Sequence, residues 1–573
     1  MSAETISMSG PVKGELVRSI DWRGAFWVAS GVPALVLFSI GGIAGTVGNI
    51  AFAIWAVSML MGFVQSFTYA EIAGLFPNKS GGASVYGAAA WLKYGKFIAP
   101  LSVWCNWYAW TPVLSLGSVI AAGYILGIVE QAPAAEAIAA KIAEAAAAGT
   151  TMDEAAATAA LMPIHNALND LFFGIQIPFT EAVVTLSFNT TFFIGAVLML
   201  IAFAIQHRGI LGTAKVQTVV GLVIVITLFV VGVVPFLNGN FNSDNFSPFV
   251  PLAVPYAPEA GSWNVAGWTL VLAGMFIAAW STYGFETAIC YTSEFKNPGT
   301  DTFKAIFYSG LLCLVLFILV PITFQGYLGL NGMLETGIVD GSGVANAMAM
   351  MVGGGAVVNK IFVILMIASL LLIIITAMAG SSRTLYQGSV DGWLPKFLGH
   401  VNHNGAPTGA MWTDLGVNLV LLAIAATDAT SYFFILAVSN CGYIIFNFLN
   451  LNSGWIHRID NGHIKRPYKA PTVVLAIGTL LAFVNAVFMG AGAKIWNPYA
   501  LWCGIGFAAV IIPVFWFRHY VTDKGKFPHR MLEDLGIRDI GHLGEKKAGV
   551  LPYLTLGAGV IVVLVSNAIF TLE

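Results

Sequence analysis

The sequence predicts an all-α integral membrane protein: two halves of five spans each, two further helices and a thirteenth, C-terminal span. Three observations predict it. The 573 residues are 58% hydrophobic and only 9% charged, with a mean hydropathy of +0.81, whereas a soluble domain carries roughly 25% charged residues. Runs of about 20 apolar residues, the length that crosses a hydrocarbon core, recur along the whole chain. Two of those runs, five apart, are interrupted by glycine or proline.

The elements follow in order. Residues 1–23 form a polar tail without the small-residue cleavage site of a secretory signal. Spans 1 to 5 lie near 24–45, 48–72, 98–127, 188–206 and 213–237 and make the first half (24–237). An outer excursion, 128–187, separates spans 3 and 4. Its alanine-rich "APAAEAIAAKIAEAAAAG" (132–149) suits one or two short helices, since alanine is the best helix former. Spans 6 to 10, near 267–291, 304–329, 360–381, 408–427 and 430–452, make the second half (267–452). Spans 11 and 12, near 470–491 and 498–517, occupy 470–517. A charged linker, 518–550, containing "HRMLEDLGIRDIGHLGEKK" (529–547), leads to "LPYLTLGAGVIVVLVSNAIF" (551–570). That last run carries no charge and so has no polar face with which to lie in an interface.

Charge sets the orientation and excludes several functions. With the N-terminus inside, only Lys141, Lys360 and Lys494 of the 26 lysines and arginines fall outside, the asymmetry expected of cytoplasmic loops. The tail is therefore expected in the cytoplasm. A net charge of −2 without basic clusters excludes nucleic acid as a partner; the partners expected are the lipid bilayer and a small molecule. All nine histidines fall in loops, tails or span ends, so no catalytic or metal-ligating cluster is read and the chain is not expected to be an enzyme. No filter motif or ring of charges marks a channel. Cys105, Cys290, Cys313, Cys441 and Cys503 sit in apolar runs and read as packing residues.

The interruptions carry the functional signal. Span 1, "WVASGVPALVLFSIGGIAG" (27–45), is broken at Gly31 and Pro33, and span 6 is broken at "STYGFE" (281–286) by Gly284. Irregular backbone survives at membrane depth only where it lines a cavity or is buried in protein. Breaks in equivalent spans of two halves point to an inverted-repeat transporter with its site at the midplane. Helix-start N–H groups attract anions. A zwitterionic amino acid would therefore place its carboxylate at Ser30, Gly31 and Val32. Its ammonium would meet carbonyls released around Trp280, Ser281, Tyr283 and Gly284. Glu286 is the acid nearest the centre of a span, while Glu71 and Asp414 lie nearer span ends, where an interface is expected to solvate them. An ionisable group in the membrane interior is functional by default, and dry surroundings favour its neutral form, so proton coupling is assigned to Glu286. Trp280 and Tyr283 are placed to close over a substrate, with ring faces that also suit a cation.

Four motifs, in order, resemble those of the amino acid–polyamine–organocation superfamily of permeases over roughly residues 20–520. They are the "SG" break of span 1, "YAEIAGLFPNKSGGASVYGAAAW" (69–91), "WSTYGFE…SEFKNP" (280–298) and "SSRTLYQGSVDGWLPKFLGHVNHNGAP" (381–407). The resemblance implies a leucine-transporter-type fold of two inverted five-helix repeats with two further helices. It also implies transport of amino acids or related amines, by proton symport or by exchange. Matched residue by residue, the span-6 signature is similar to that of the arginine/agmatine antiporter, which puts Trp280 in the place of a gating tryptophan and Glu286 in that of a proton-linked glutamate. Ile374 stands where that antiporter has a second substrate-facing tryptophan, which favours a neutral or smaller amino acid over a guanidinium. Span 5 carries no lysine of the kind that replaces sodium in some proton-coupled relatives. The hydroxyls of Thr376, Ser381 and Ser382 leave a Na+ site between spans 1 and 8 open.

The reading is a secondary active transporter, a permease that moves amino acids across the plasma membrane by alternating access. H+ is the coupling ion and no cofactor is implied. Its alternatives are an amino acid or amine exchanger (antiporter), a polyamine transporter, and a non-transporting nutrient sensor on the same fold. The inner signatures are expected to form a thin cytoplasmic gate, with spans 1, 3, 6, 8 and 10 lining the site.

Overall fold

The computed structural model describes residues 16–130, 133–168, 171–176, 183–251, 261–534 and 545–572. Residues 1–15 of the tail, 131–132, 169–170 and 177–182 of the outer excursion, and 535–544 of the charged linker lie outside the described residues.

Among the described residues, eleven helical stretches are long and apolar enough to cross a membrane. The first, Trp22–Gly74, has 53 residues, roughly 80 Å if straight, and is therefore two crossings. Gly48 makes the turn between them with φ 67°, a left-handed conformation that glycine takes without steric cost. The 17-residue helix Thr190–Gln206 is just long enough to cross as span 4. Thirteen crossings result, in the expected order. Polar side chains fix several starts by accepting open N–H groups of the first turn. Asp21 accepts from Arg23 and Gly24 ahead of span 1, Asn189 from Phe192 ahead of span 4, and Asn264 from Gly267 ahead of span 6.

Contacts repeat with a shift of five. Span 2 (Ala51–Gly74) lies along span 7 (Pro298–Met333). Span 1 touches spans 5 (Ile210–Leu237) and 7, as span 6 (Val265–Thr282) touches spans 10 (Ala429–Asp460) and 2. Span 3 (Ile98–Trp110, continued by Val113–Val129) packs on span 10 as span 8 (Ala356–Val390) packs on span 5. An exchange of neighbours of this kind is what a pseudo-two-fold axis in the membrane plane produces. The remaining spans are span 9 (Thr408–Ala425), span 11 (Thr472–Trp496), span 12 (Ala500–Thr522, ending in a wide π turn) and the apolar helix Leu551–Ile569, which packs on span 11.

Three expectations need correcting. The outer excursion holds the two short helices expected, Ala135–Ala147 and Glu154–Leu161, but also an antiparallel hairpin of Phe172–Gln176 and Val183–Ser187, with Phe172 opposite Ser187. Its "FFGIQ" and "VVTLS" are rich in aromatic and β-branched residues that fit a pleated surface. Glu71 is not solvated at an interface. It is 1% exposed and accepts from Arg458 (2.9 and 2.6 Å), Arg466 (3.2 Å) and the Ala470 N–H (2.9 Å). The chain between spans 10 and 11 folds back over it and brings Arg466 and Ala470. Asp414 is likewise fully buried. Cys105, Cys290, Cys313 and Cys441 are buried free thiols as expected, and Cys503 is half-buried.

Candidate functional site

The two breaks face one another. In span 1 the helix ends at Val28. The N–H groups of Ser30 and Val32 bond back to Trp27 and Ala29 (3.1 and 3.0 Å), and among the described residues the Gly31 N–H has no protein acceptor. A 3₁₀ turn, Val32–Leu35, follows, with Pro33 as its second residue, where an N–H would be unpaired anyway. In span 6 the helix ends at Thr282 and a 3₁₀ stretch, Gly284–Ile289, takes over. Both glycines are dictated by close approach. A Cβ on Gly31 would lie 2.6 Å from Thr376 Oγ1 and 2.9 Å from the Leu372 carbonyl of span 8; one on Gly284 would lie 2.9 Å from the Trp110 ring.

Between the breaks is a small cavity. Span 1 contributes Gly31, Val32 and Leu35, span 3 Trp110 and Val113, span 6 Gly284 and Thr287, and span 8 Ile373, Thr376 and Ala377. It has room for about one water molecule, so the four spans are closed around it. Span 10, expected in the lining, contributes no residue to it; its Tyr443 ring lies behind, meeting Trp110 edge-on at 5.2 Å.

Of the residues singled out from sequence, Gly31, Val32 and Gly284 line this cavity. Ser281 ties the breaks together, its hydroxyl 3.5 Å from the Leu35 carbonyl. Trp280 is fully buried, donates to the Ala109 carbonyl (3.0 Å) and packs on Trp110, ring centroids 5.8 Å apart. Two side chains turn elsewhere. The Ser30 hydroxyl bonds Trp27 (2.6 Å) and faces Gly221 of span 5, because the helix is still turning there. Tyr283 points toward spans 2 and 11, packing on Gly62 and donating to Asn485 (3.0 Å).

Glu286 lies in the 3₁₀ stretch, two residues past Gly284, and is 1% exposed. Its Oε1 accepts from Trp110 Nε1 (3.0 Å) and, weakly, from Asn106 Nδ2 (3.4 Å). Oε2 makes no hydrogen bond of good geometry among the described residues; it points at Gly82, where the Ala83 N–H that opens the helix Ala83–Trp91 faces the carboxyl. Trp110 thus lines the cavity and holds the carboxyl at once. Sequence reasoning missed it, since one tryptophan in the aromatic run "WCNWYAW" gives no sign of which way it points.

The hydroxyls of span 8 take separate partners. Thr376 donates to the Val28 carbonyl (2.8 Å) and accepts from Gln217 Nε2 (2.8 Å), which also reaches the Leu372 carbonyl (3.3 Å). Ser381 donates to Asp414 (2.7 Å) and Ser382 to Met378 (2.6 Å). Gln217 of span 5 was not singled out from sequence, because one amide among valines carries no distinguishing pattern.

On the side of the N-terminal segment the three loop signatures converge. Lys79 pairs with Asp391 (2.7 Å) and Asp534 (3.3 Å), and Arg383 is bidentate to Glu294 (2.6 and 3.1 Å). The Gly81 N–H bonds the Cys290 carbonyl (2.9 Å), and Thr384 donates to the Gly81 carbonyl (2.8 Å). Arg18 and Arg530 reach the same loop, at Asn78.

Gly31→Ala is expected to destabilise the protein by about 1–3 kcal/mol, the usual cost of overpacking, because backbone of span 8 cannot withdraw from the added methyl. Gly123→Ala, where nothing lies within 4 Å, is the control. Thermal unfolding of the two variants in detergent checks the difference.

A family model described as amino acid permease matches residues 20–510. The chain is also 24% identical, over 326 residues, to the branched-chain amino acid permease BcaP of Lactococcus lactis subsp. cremoris (strain MG1363). That match covers 55% of this chain and 64% of the relative, a little under two thirds of its length.

Proposed function

Since the chain belongs to the amino acid permease family, we propose that it is a proton-coupled permease, a transporter rather than an enzyme, that carries neutral amino acids across the plasma membrane. The observation that carries this reading is the cavity between the two breaks, joined to Glu286 by the single side chain of Trp110. Alternating access would open the cavity to one side and then the other. The Gly31 N–H is available to a substrate carboxylate, whereas the carbonyls of Tyr283 and Gly284 accept from Glu286, Tyr443 and Thr287 and would have to exchange those partners for an ammonium. Around them the walls are mostly apolar, Val32, Leu35, Val113, Ile373, Ala377 and the Trp110 ring, with hydroxyls from Thr287 and Thr376. Such walls favour an aliphatic side chain and hold no carboxylate to pair with a cationic one. The name of the Lactococcus relative agrees with that preference.

Glu286 is the proton site of this reading. Its Oε2, which no side chain meets and only the Ala83 N–H faces, is the oxygen at which a proton would be held, and any movement of Trp110 with substrate would change the donors at Oε1. Coupling of this kind needs only that substrate and proton favour the same conformation.

The test is uptake of labelled leucine, isoleucine and valine into proteoliposomes under an inward proton gradient, with Glu286→Gln alongside. Native protein is expected to accumulate substrate and Glu286→Gln to fail to do so. Uptake that requires internal amino acid, and is the same in the variant, would replace symport by exchange. Binding without accumulation would mark a sensor.

A further inference from the structure

Span 9 carries a buried carboxylate that the reading above does not use. Asp414 is 0% exposed. Its Oδ1 accepts from Trp107 Nε1 (2.6 Å) and Thr111 Oγ1 (3.1 Å) of span 3, and its Oδ2 from Ser381 Oγ (2.7 Å) of span 8. Asn418, one turn on, donates to Thr111 Oγ1 (2.7 Å) and to the Asp414 carbonyl (2.9 Å) and accepts the Ser115 N–H (3.2 Å).

No cation balances this group among the described residues. On span 8, Arg383 is bidentate to Glu294 and Tyr386 lines a pocket beside Arg18 and Asn78. In the turn after span 8, Lys396 pairs with Asp523 (3.0 Å) and His400 bonds Thr408 (2.9 Å). On span 3, Tyr108 donates to Gly504 and Tyr124 to Gly341, and Cys105 lies beside Tyr108. On span 10, Tyr432 and Tyr443 donate to the carbonyls of Phe38 and Tyr283, Cys441 to that of Ala500, and Arg458 holds Glu71. Span 4 and the strand Val183–Ser187 carry no titratable side chain. A structural ion pair is therefore not what keeps Asp414 in place.

Its neighbours suit both protonation states. The charged form has three donors. The Trp107 indole is fixed as a donor, since an indole N–H cannot accept, and it shares Oδ1 with Thr111, so Oδ2 is met by Ser381 alone. Ser381 is reversible. A serine on a helix can turn its hydroxyl to the carbonyl one turn back, here Ala377, and accept from a neutral carboxylic acid instead. Span 3 links this switch to the other carboxyl. Trp107 and Trp110, three residues apart and so neighbours on the helix surface, donate to Asp414 and Glu286 respectively.

We propose that Asp414 is a second proton-carrying carboxyl of the transport cycle, exchanging its proton at Oδ2 against Ser381 while Glu286 exchanges one across the same helix. The inference rests on the proton-coupled reading above. Each coupled proton contributes about tenfold to the accumulation ratio per pH unit. With membrane potential clamped at zero, native protein is expected to accumulate leucine about 100-fold per unit of pH gradient, and Asp414→Asn about tenfold. Counterflow measured on the same vesicles reports the active fraction. Ser381→Ala is expected to lower the ratio as Asp414→Asn does, and Ser381→Thr to restore it; these two decide the matter if Asp414→Asn does not fold. A native ratio of about tenfold per pH unit, or variants with the native ratio, would overturn the second site alone. Absence of gradient-driven accumulation in native protein would instead overturn the proton-coupled reading, and this inference with it.

Discussion

Glu294→Ala is expected to cost roughly 3–5 kcal/mol of stability, because it strands a buried guanidinium. Arg383 and Glu294 are each about 1% exposed at the side chain and bonded through two oxygens. Arg383 also donates to Ala379 (3.1 Å), and Tyr291 lies under its charge at 5.4 Å. Nothing else among these contacts carries negative charge. The Glu294 carbonyl meanwhile accepts the N–H groups of Ser19 and Ile20 (2.9 and 3.2 Å), so the loss spreads to the N-terminal segment. Removing both partners, as Glu294→Met with Arg383→Met, is expected to cost clearly less than either single change, since no charge is left unpaired. A double-mutant cycle by thermal unfolding in detergent separates the terms. Equal losses in single and double variants would show that packing, not charge, dominates at this junction.

Lys79→Gln is expected to loosen the layer of loops beneath the site, the gate of the proposed transport cycle. Lys79 is 2% exposed and holds two carboxylates, Asp391 and Asp534, that would otherwise repel. Cys290 lies behind this gate, its carbonyl on the Gly81 N–H and its thiol 2.9 Å from where a Cβ on Gly82 would stand. Modification of Cys290 by a charged thiol reagent, in a Cys503→Ser background, is expected to rise at least about tenfold in Lys79→Gln, the ratio that 1.4 kcal/mol of gate stability corresponds to. Gradient-driven accumulation is expected to collapse by leakage. A Cys290 as protected as before would mean that the ion pairs only position the loops.

The same cluster has a pH dependence. Burial, reinforced by the charge of Asp391 and opposed by Lys79, holds the Asp534 carboxyl above the ordinary aspartate range. The seated linker therefore binds a proton more tightly than the released one, and seating weakens as pH rises through the interval from the ordinary value, about 4, to the raised one. Hydrogen-exchange protection of residues 529–534 is expected to fall across that interval, and Asp534→Asn to abolish the fall.

Much of this was legible in the sequence, for reasons that also mark where reading stops. Hydropathy exposed the spans because a bilayer demands a minimum length. The breaks at Gly31 and Gly284 showed because glycine and proline interrupt an otherwise uniform signal. Glu286 stood out as an isolated charge. Asp414 did not, because it lies only six residues into its span, roughly 9 Å from the start, and linear distance from a span end says nothing of what packs over it. The helices of spans 3 and 8 bury it. Trp110, Gln217 and the turned-away Tyr283 were illegible for a different reason. Which face of a span meets the site depends on the rotation of a helix that is apolar all round. The hairpin was hidden by the alanine-rich stretch before it, which drew the whole excursion toward helix.

That hairpin also offers a purchase for imaging. Most of this 60.8 kDa chain would be enclosed by a detergent micelle, leaving particle images few features by which to be aligned. The excursion is fastened to the ends of spans at several points: Glu130 to the N–H groups of Ile164 and His165 (3.1 and 2.9 Å), Thr427 to Thr185 (3.1 Å), and Asn189 to Ala426 (2.9 Å). A nanobody raised against the exposed faces of Phe172, Phe173, Ile175 and Val183 would therefore be held in register with spans 3, 4 and 9. It would act as a fiducial from which the movements of spans 1 and 6 can be measured.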